Sequence, residues 1–389
     1  MTDGYGSQLL QPVKVVCTDD LGETLVDIMQ TAGYSRPLMV TDSFVGSMPL
    51  VVAARTKLEQ VGVDVAVFDQ VKPDPLCETV ESGVEAFEAH KADSIIAIGG
   101  GSSMDVARGI NIVRVNGGSI IEYTDPAKPI APCNGMIAVP TTAGTGSEMS
   151  NALVVTEGST GRKLAVLADP AVSEYAVLNA DLMLTLPAKM TIACGLDAFC
   201  HAAEGYLSRM ASPVTDAICE KAMFLLYNYL PRAVANGQDR EARERVMVAS
   251  TLAGWMLNNA GTIAGHSIAH VLGAKYHIVH GEAVGYALPA VMEFVAPVRA
   301  HKVREIGQIL GAVYPENAPD EQVAIIASRA FKDFRDRMLG LHPVEDYGIS
   351  VEELVSNAQA VVDERFAGNT PRDIDLQAAE QLLEGFGSR

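Results

Sequence analysis

Four of the eight histidines fall within fifteen residues, at His266, His270, His277 and His280, where even scatter would place about 0.3. A second pair, Asp197 and His201, stands four apart in a run of helical character that includes the apolar stretch Ile192–Leu196 and Ala198-Phe199. His266 and His270 share that spacing. Residues at i and i+4 lie on one helix face, so each pair can aim two side chains at one point. One carboxylate with two or three imidazoles is a mixed oxygen and nitrogen donor set that suits Fe(II) or Zn(II) and not Mg or Ca. A lone histidine on an apolar helix face is ordinarily a satisfied core residue. Several beside an Asp in an apolar helix are not, because that carboxylate needs a partner and a metal supplies one.

Two other stretches suit an anionic ligand. Ser94-Ile95-Ile96-Ala97-Ile98 runs straight into Gly99-Gly100-Gly101-Ser102, and a helix follows with Asp105 in its first turn. Glycines let a backbone approach a pyrophosphate closely, while unpaired N–H groups and the helix dipole attract its charge. Met104 occupies the last glycine position of the G-x-G-x-x-G fingerprint, so a tight structural turn and a phosphate cradle both fit this segment alone. A second strand, Met136–Val139, leads into Pro140-Thr141-Thr142-Ala143-Gly144-Thr145-Gly146-Ser147-Glu148, where hydroxyl and amide donors gather at a strand's carboxyl end. The alternative there is a capping loop, with Ser147-Glu148 starting a short helix. A G-x-S-x-G nucleophile elbow is excluded, since Ser147 lies in Gly144-Thr145-Gly146-Ser147-Glu148. Two such loops on neighbouring strands point to nucleotide binding. Asp42, just past the strand Pro37–Thr41, is placed either to meet a ribose hydroxyl and repel a 2′-phosphate, favouring NAD over NADP, or to cap a turn.

The elements that must carry these residues follow from periodicity. Strands are expected at Pro12–Cys17, Pro37–Thr41, Val63–Phe68 and Ser94–Ile98, alternating with helices at Glu23–Ala32, Pro49–Val61, Leu76–His90 and Met104–Val115. That alternation implies βαβ units and a parallel sheet covered on both faces. Met136–Val139, Ala152–Val155 and Lys163–Leu167 add strands with little helix between them. After Leu184-Thr185-Leu186-Pro187 the period becomes helical, with helices expected at Met190–Tyr206, Pro213–Asn236, Glu241–Asn258, His266–Leu272, Glu282–Val295, Lys302–Leu310, Pro319–Met338, Val351–Ala360 and Ile374–Gly385. The boundary is expected at Pro187: an α/β, doubly wound parallel-sheet domain over 1–187, and an all-α domain over 188–389.

Composition bounds the function. At 389 residues the chain exceeds one comfortable core. Lys+Arg 29 against Asp+Glu 48 gives a net charge of −19, a surface that repels phosphate backbones and anionic lipid, so neither a nucleic-acid nor a membrane-surface partner is expected. Six scattered cysteines without C-x-x-C spacing read as thiols in a reducing cytosol. No apolar stretch approaches the ~20 residues of a membrane span, and Met1-Thr2-Asp3-Gly4 lacks a signal-peptide layout. A cytoplasmic protein is expected.

Taken in order, the motifs resemble the iron-containing (group III) alcohol dehydrogenase family. They are Gly99-Gly100-Gly101-Ser102-x-x-Asp105, the Pro140–Glu148 loop, Gly195-Leu196-Asp197-Ala198-x-x-His201-Ala202-x-Glu204, His266-x-x-Ala269-His270-x-Leu272-Gly273, and His280-Gly281. The similarity runs from about Val13 to Thr370-Pro371-Arg372-Asp373. It implies a dehydroquinate synthase-like fold, with a dinucleotide-binding α/β domain followed by a helical one. It implies Asp197, His201, His266 and His280 as metal ligands, iron foremost and zinc second, and His270 as a proton relay beside the substrate. The implied NAD contacts are Asp42, Gly99, Gly100, Gly101, Ser102, Asp105, Thr141, Thr142, Thr145, Ser147 and Lys163. Asn179, Cys194 and Arg108 depart from the family's usual Asp, small residue and Lys; around the substrate Gly265 and Ser267 flank the third ligand, and Gly265 and Glu282–Tyr286 depart from relatives that act on simple diols. The implied activity is NAD-dependent interconversion of a small-molecule alcohol and its aldehyde or ketone, in a homo-oligomer. The alternatives are a dehydroquinate-synthase-like lyase that uses NAD transiently, a metal-free reductase, and a metal- or nucleotide-binding protein without turnover.

Overall fold

The computed structural model describes residues 8–389, and the chain divides into two compact units: Gln11–Leu184, and Thr185–Arg389 with residues 8–10. The first unit holds eight strands: β1 (Lys14–Cys17), β2 (Pro37–Val40), β3 (Ala66–Phe68), β4 (Ser94–Gly99), β5 (Met136–Pro140), β6 (Ala152–Thr156), β7 (Lys163–Leu167) and β8 (Tyr175–Leu178). Its helices are α1 (Leu21–Ala32), α2 (Ser43–Gly46), α3 (Pro49–Gln60), α4 (Cys77–His90) and α5 (Gly101–Asn116). Six strands pair in parallel in the order β1-β8-β5-β4-β2-β3. Both faces of the inner strands β2, β4, β5 and β8 are buried, and period-2 alternation assigns the faces. In β4, Ile95 and Ala97 join a core with residues of α4 and α5, whereas Ile96 and Ile98 join one with residues of α1 and α3.

The strands expected at Ala152–Val155 and Lys163–Leu167 are present, and one further strand joins the set. Ala152–Val155 and Lys163–Leu167 do not enter the parallel sheet. They pair antiparallel with each other as the separate hairpin β6-β7. The strand that completes the sheet between β1 and β5 is β8, a four-residue run missed by periodicity because it is too short to show alternation.

This strand order fixes where a ligand sits. The chain passes from β2 outward to β3, returns to β4 on the other side of β2, and continues to β5. The order therefore reverses between β2 and β4. Open α/β sheets bind ligands outside the carboxyl ends of strands at such a switch point.

The second unit is helical: α6 (Ala188–Leu207), α7 (Pro213–Ala235), α8 (Arg240–Asn259), α9 (Ala264–Tyr276), α10 (His280–Ile309), α11 (Asp320–Lys332), α12 (Val351–Val355), α13 (Ala358–Asp363) and α14 (Leu376–Glu384). The two helices expected at Glu282–Val295 and Lys302–Leu310 are both present within α10, joined across a kink at Arg299 (φ −138°, ψ 29°), two positions after Pro297. The helix expected through Met338 gives way at Asp333 to a π-helical turn, Asp333–Met338. Among the described residues no helix is long and apolar enough to cross a membrane.

Candidate metal centre and cofactor loops

Helix α6 is the centre's main support. Asp197 and His201 lie one turn apart on it, and both are buried. His266 stands in the first turn of α9, and His280 is the first residue of α10. The four side chains meet on one atom: Asp197 Oδ1 lies 3.5 Å from His201 Nε2, 3.7 Å from His266 Nε2 and 3.4 Å from His280 Nε2. A tetrahedral ion with bonds of about 2.1 Å separates its ligands by about 3.4 Å, so the spacings to Asp197 match those of a coordination shell. Asp197, His201 and His266 offer atoms that all lie within 4.8 Å of one another, a set that His280 adjoins through Asp197. Asp197 Oδ1 and His266 Nε2 are buried and make no hydrogen bond. A buried acceptor and a buried ring nitrogen left in this state fit a cation between them.

Close helix contact holds this arrangement. A Cβ added to Gly281 would lie 1.9 Å from the backbone oxygen of Ala193, so α10 can cross α6 next to His280 only with glycine there. His280 is the most open of the four, with its side chain 42% exposed, and so marks the accessible side of the centre.

The electrostatics agree with this geometry. Burial opposes charge on Asp197, but the imidazoles of His201, His280 and His266 outweigh it and hold the carboxyl well below its ordinary value. Burial also opposes charge on His266, and here the Glu204 and Asp197 carboxylates prevail, lifting it to about 10. Without a metal a proton takes the cation's place, so proton and metal compete for this site.

Beside it lies a second carboxylate–histidine pair. His270 Nδ1 is 3.1 Å from Glu364 Oε1, while Glu364 Oε2 accepts from the Ser267 hydroxyl at 2.6 Å and from Phe366 N at 2.8 Å. The His270 ring stacks on His280 with centroids 5.4 Å apart, and Phe366 lies 5.6 Å away on another side. Burial lowers the His270 imidazole below its ordinary value; the Glu364 bond opposes this, and His280 and His266 add to it. His277, the remaining member of the histidine cluster, terminates α9 in the left-handed conformation, with φ 56°. Glu204 and Glu364 carried no role in the sequence reading, and only Glu204 had a nearby signal, standing three residues after His201 on the same helix.

In the α/β unit, β4 and β5 are neighbours with Gly99 opposite Pro140, so both glycine-containing loops leave the same edge of the sheet. They touch: a Cβ at Gly100 would lie 3.3 Å from the Thr142 side chain, and one at Gly101 would lie 3.0 Å from that of Thr145. Helix α5 starts at Gly101, with Ser102 half-buried in its first turn and Gly100 as N-cap without a side chain, leaving its first N–H groups without a side-chain cap. The Thr141–Ser147 loop continues as turns, and no helix starts at Ser147-Glu148.

Four other residues have structural partners. Asp42 N-caps α2, its Oδ1 accepting from Phe44 N and Val45 N at 2.9 Å each, while it stands past the carboxyl end of β2 at the switch point. Asp105 Oδ2 accepts from Val154 N at 3.1 Å, and burial pushes its carboxyl up to about 7 although Arg108 lies 4.0 Å away. Lys163 Nζ pairs with Asp74 at 2.5 Å. Arg108 is fully buried and donates to the carbonyls of Ser147, Ala152 and Ala171, at 2.6, 2.5 and 3.2 Å, bracing the end of the threonine-rich loop.

Comparison with known proteins decides the family. The model of the iron-containing alcohol dehydrogenase matches residues 12–180, and that of the Fe-containing alcohol dehydrogenase family, C-terminal, matches residues 191–386. The chain belongs to the iron-containing alcohol dehydrogenase family. It is 34% identical over 362 residues to the NAD-dependent methanol dehydrogenase of Bacillus methanolicus, covering 92% of this chain and 93% of that one. The crystal structure of a 1,3-propanediol oxidoreductase superposes with a TM-score of 0.90 at 30% identity, covering 98% of this chain and all of the other. A sulfoacetaldehyde reductase from Bifidobacterium kashiwanohense in complex with NAD+ superposes at 0.87 and 26% identity, covering 99% of this chain and all of the other. The dehydrogenase fold and class follow from membership.

Proposed function

We propose that this dehydrogenase uses a divalent metal and NAD to interconvert a small neutral alcohol and its aldehyde or ketone. The supporting observation is the meeting of three imidazole Nε2 atoms at 3.4–3.7 Å from one buried carboxylate oxygen. When bound, the ion supplies Lewis-acid polarisation of the alcohol oxygen, and the nicotinamide takes up or returns a hydride. Asp197, His201, His266 and His280 hold the ion. Iron(II) is the first candidate, on family grounds, and zinc(II) the second, because the donor set suits both.

Glu364 holds His270 by Nδ1, which leaves Nε2 as the atom that takes the proton from the alcohol or passes it to water. Gly99, Gly100, Gly101, Ser102, Thr141, Thr142, Thr145 and Ser147 line the two touching loops that cradle the pyrophosphate. Asp42 faces the adenosine ribose with the oxygen not used in capping, favouring NAD over NADP. Asp105 acts from behind, tying α5 to β6, and Lys163 reaches the cofactor only by leaving Asp74. A cytoplasmic homo-oligomer is the setting proposed, on family grounds.

The test combines metal analysis of anaerobically purified protein with an NADH-release screen across alcohols. Stoichiometric metal and net NADH are expected, and Asp197→Ala and His280→Ala should each lose both. A variant that keeps its turnover refutes the ligand assignment. Metal and NAD binding without net NADH on any alcohol would favour the lyase or the binding protein instead.

A further inference from the structure

We propose that Glu204 is a positioning residue for the metal centre: a single buried carboxylate that caps the start of α9 and sets the tautomer in which His266 offers Nε2 to the ion. This rests on the metal-centre reading above.

Helix α9 begins badly from a local standpoint. Its N-cap is Ile263, which has no side-chain acceptor, and the first N–H groups of a helix are unpaired within it. The missing acceptors come from distant parts of the chain. Glu204 Oε2 accepts from Ile263 N at 2.8 Å and from His266 N at 3.3 Å, and the Thr370 hydroxyl accepts from Ala264 N at 3.1 Å.

The other oxygen of the same carboxylate does something a cap does not require. Glu204 Oε1 lies 2.9 Å from His266 Nδ1. Glu204 is wholly buried, and every partner it meets is a donor or a ring nitrogen able to donate. A carboxylate only accepts, so Nδ1 carries the proton of a neutral His266 and Nε2 is left bare. That Nε2, open to a metal in place of a proton, is the buried atom without a hydrogen bond, 3.7 Å from Asp197 Oδ1. Glycine at position 265 keeps the carboxylate in place, since a Cβ there would stand 2.3 Å from Oε1.

Charge supports the same role. Asp197 and Glu204 put two buried acids on α6, and a divalent ion balances both. A carboxylate behind a ligating imidazole makes it a better donor, and removing such a partner costs typically 10–100-fold in metal affinity. Removing a purely structural cap would lower that affinity only as far as it disturbs α9, and such a cap would not fix which ring nitrogen of His266 carries the proton.

The experiment compares zinc binding by wild-type and Glu204→Gln proteins, each stripped of metal and titrated with Zn2+ against a competing chelator. Near-UV circular dichroism checks the fold. Glutamine keeps the volume, but its NH2 group must face one of the donors now bonded to the carboxylate. The expected result is a native spectrum with a zinc Kd raised about 10–100-fold. A native spectrum with an unchanged Kd, even with a lower melting temperature, overturns the proposal.

Should Glu204→Gln fail to fold, the wild-type protein still answers. In zinc-loaded, 15N-histidine-labelled protein the proposal expects the His266 proton on Nδ1, and a proton on Nε2 overturns it. If wild-type protein takes up no zinc, the metal-centre reading itself fails. If wild-type and variant bind alike, only the role of Glu204 fails.

Discussion

At the scale of single residues, the centre depends on carboxylates that face histidines. In the proposed mechanism Asp197 holds the shared cation, and Glu364 grips His270, the ring proposed to move the proton. The two roles separate in a mutational test. His270→Ala should leave metal content intact, because His270 lies outside the four-ligand set, while kcat falls about 10²-fold, the low end of what general acid–base groups contribute. Glu364→Gln should lower kcat less, since the amide oxygen can still accept the Nδ1 proton and only the orientation set by Ser267 and Phe366 weakens. Steady-state kinetics with metal analysis check both. Loss of metal in His270→Ala would make that residue a ligand and end the relay assignment. The histidines were legible in the sequence because a metal site concentrates a rare residue at i, i+4 spacing. Glu364 was not, because a separation of 94 positions from His270 leaves no local trace.

At the scale of elements, position depends on where helices and strands touch. Gly281→Ala would force a methyl group onto the backbone of Ala193, an atom that cannot rotate away. The helices α6 and α10 must part, so a loss of stability of about 1–3 kcal/mol or more is expected. Because both carry ligands, zinc affinity should fall with it. Melting temperature and zinc uptake measured on one preparation check this, and an unchanged melting temperature refutes the tight crossing. In the α/β unit, Asp93 ties the start of β2 to the start of β4. Its carboxylate accepts from Ser35 N at 2.7 Å, Arg36 N at 3.1 Å and the Ser94 hydroxyl at 2.9 Å. Burial raises its pKa, but these donors together overcome it and hold the folded value below the ordinary 3.8. A depressed carboxyl stabilises the fold above the unfolded value and loses that contribution as pH falls through the folded one. Asp93→Asn should therefore cost about 1–3 kcal/mol in urea unfolding at pH 7 and progressively less as pH falls below 3.8, and a cost that does not fall with pH there would contradict it. Long periodic elements were legible. The hairpin β6-β7 and the strand β8 were not, since four or five residues of β-prone sequence do not state which partner they pair with.

At the scale of the whole molecule, the sequence set a problem that the fold answers locally. A net charge of −19 opposes an anionic dinucleotide, yet the two touching loops at the ends of β4 and β5 are lined with small residues and hydroxyls and end at a helix N-terminus. In the proposed binding mode, attraction there comes from short-range contacts with backbone N–H groups, which salt screens little. Repulsion comes from the dispersed surface charge, which salt screens strongly as the Debye length shrinks from about 30 Å at 0.01 M to about 8 Å at 0.15 M. The two terms therefore respond differently, and the sign of the salt effect is set by the surface. Raising ionic strength across that range should lower the KM for NAD by about two- to fivefold, the reverse of an enzyme that steers its cofactor with basic residues. The KM for an uncharged alcohol should stay level, which separates cofactor capture from any general effect of salt on the fold. Initial rates with NAD varied at saturating alcohol, in sodium chloride from 0.01 to 0.15 M, measure it. A KM for NAD that rises with salt would mean that paired charges, Lys163 foremost, hold the cofactor in place of the glycine turn and the helix start.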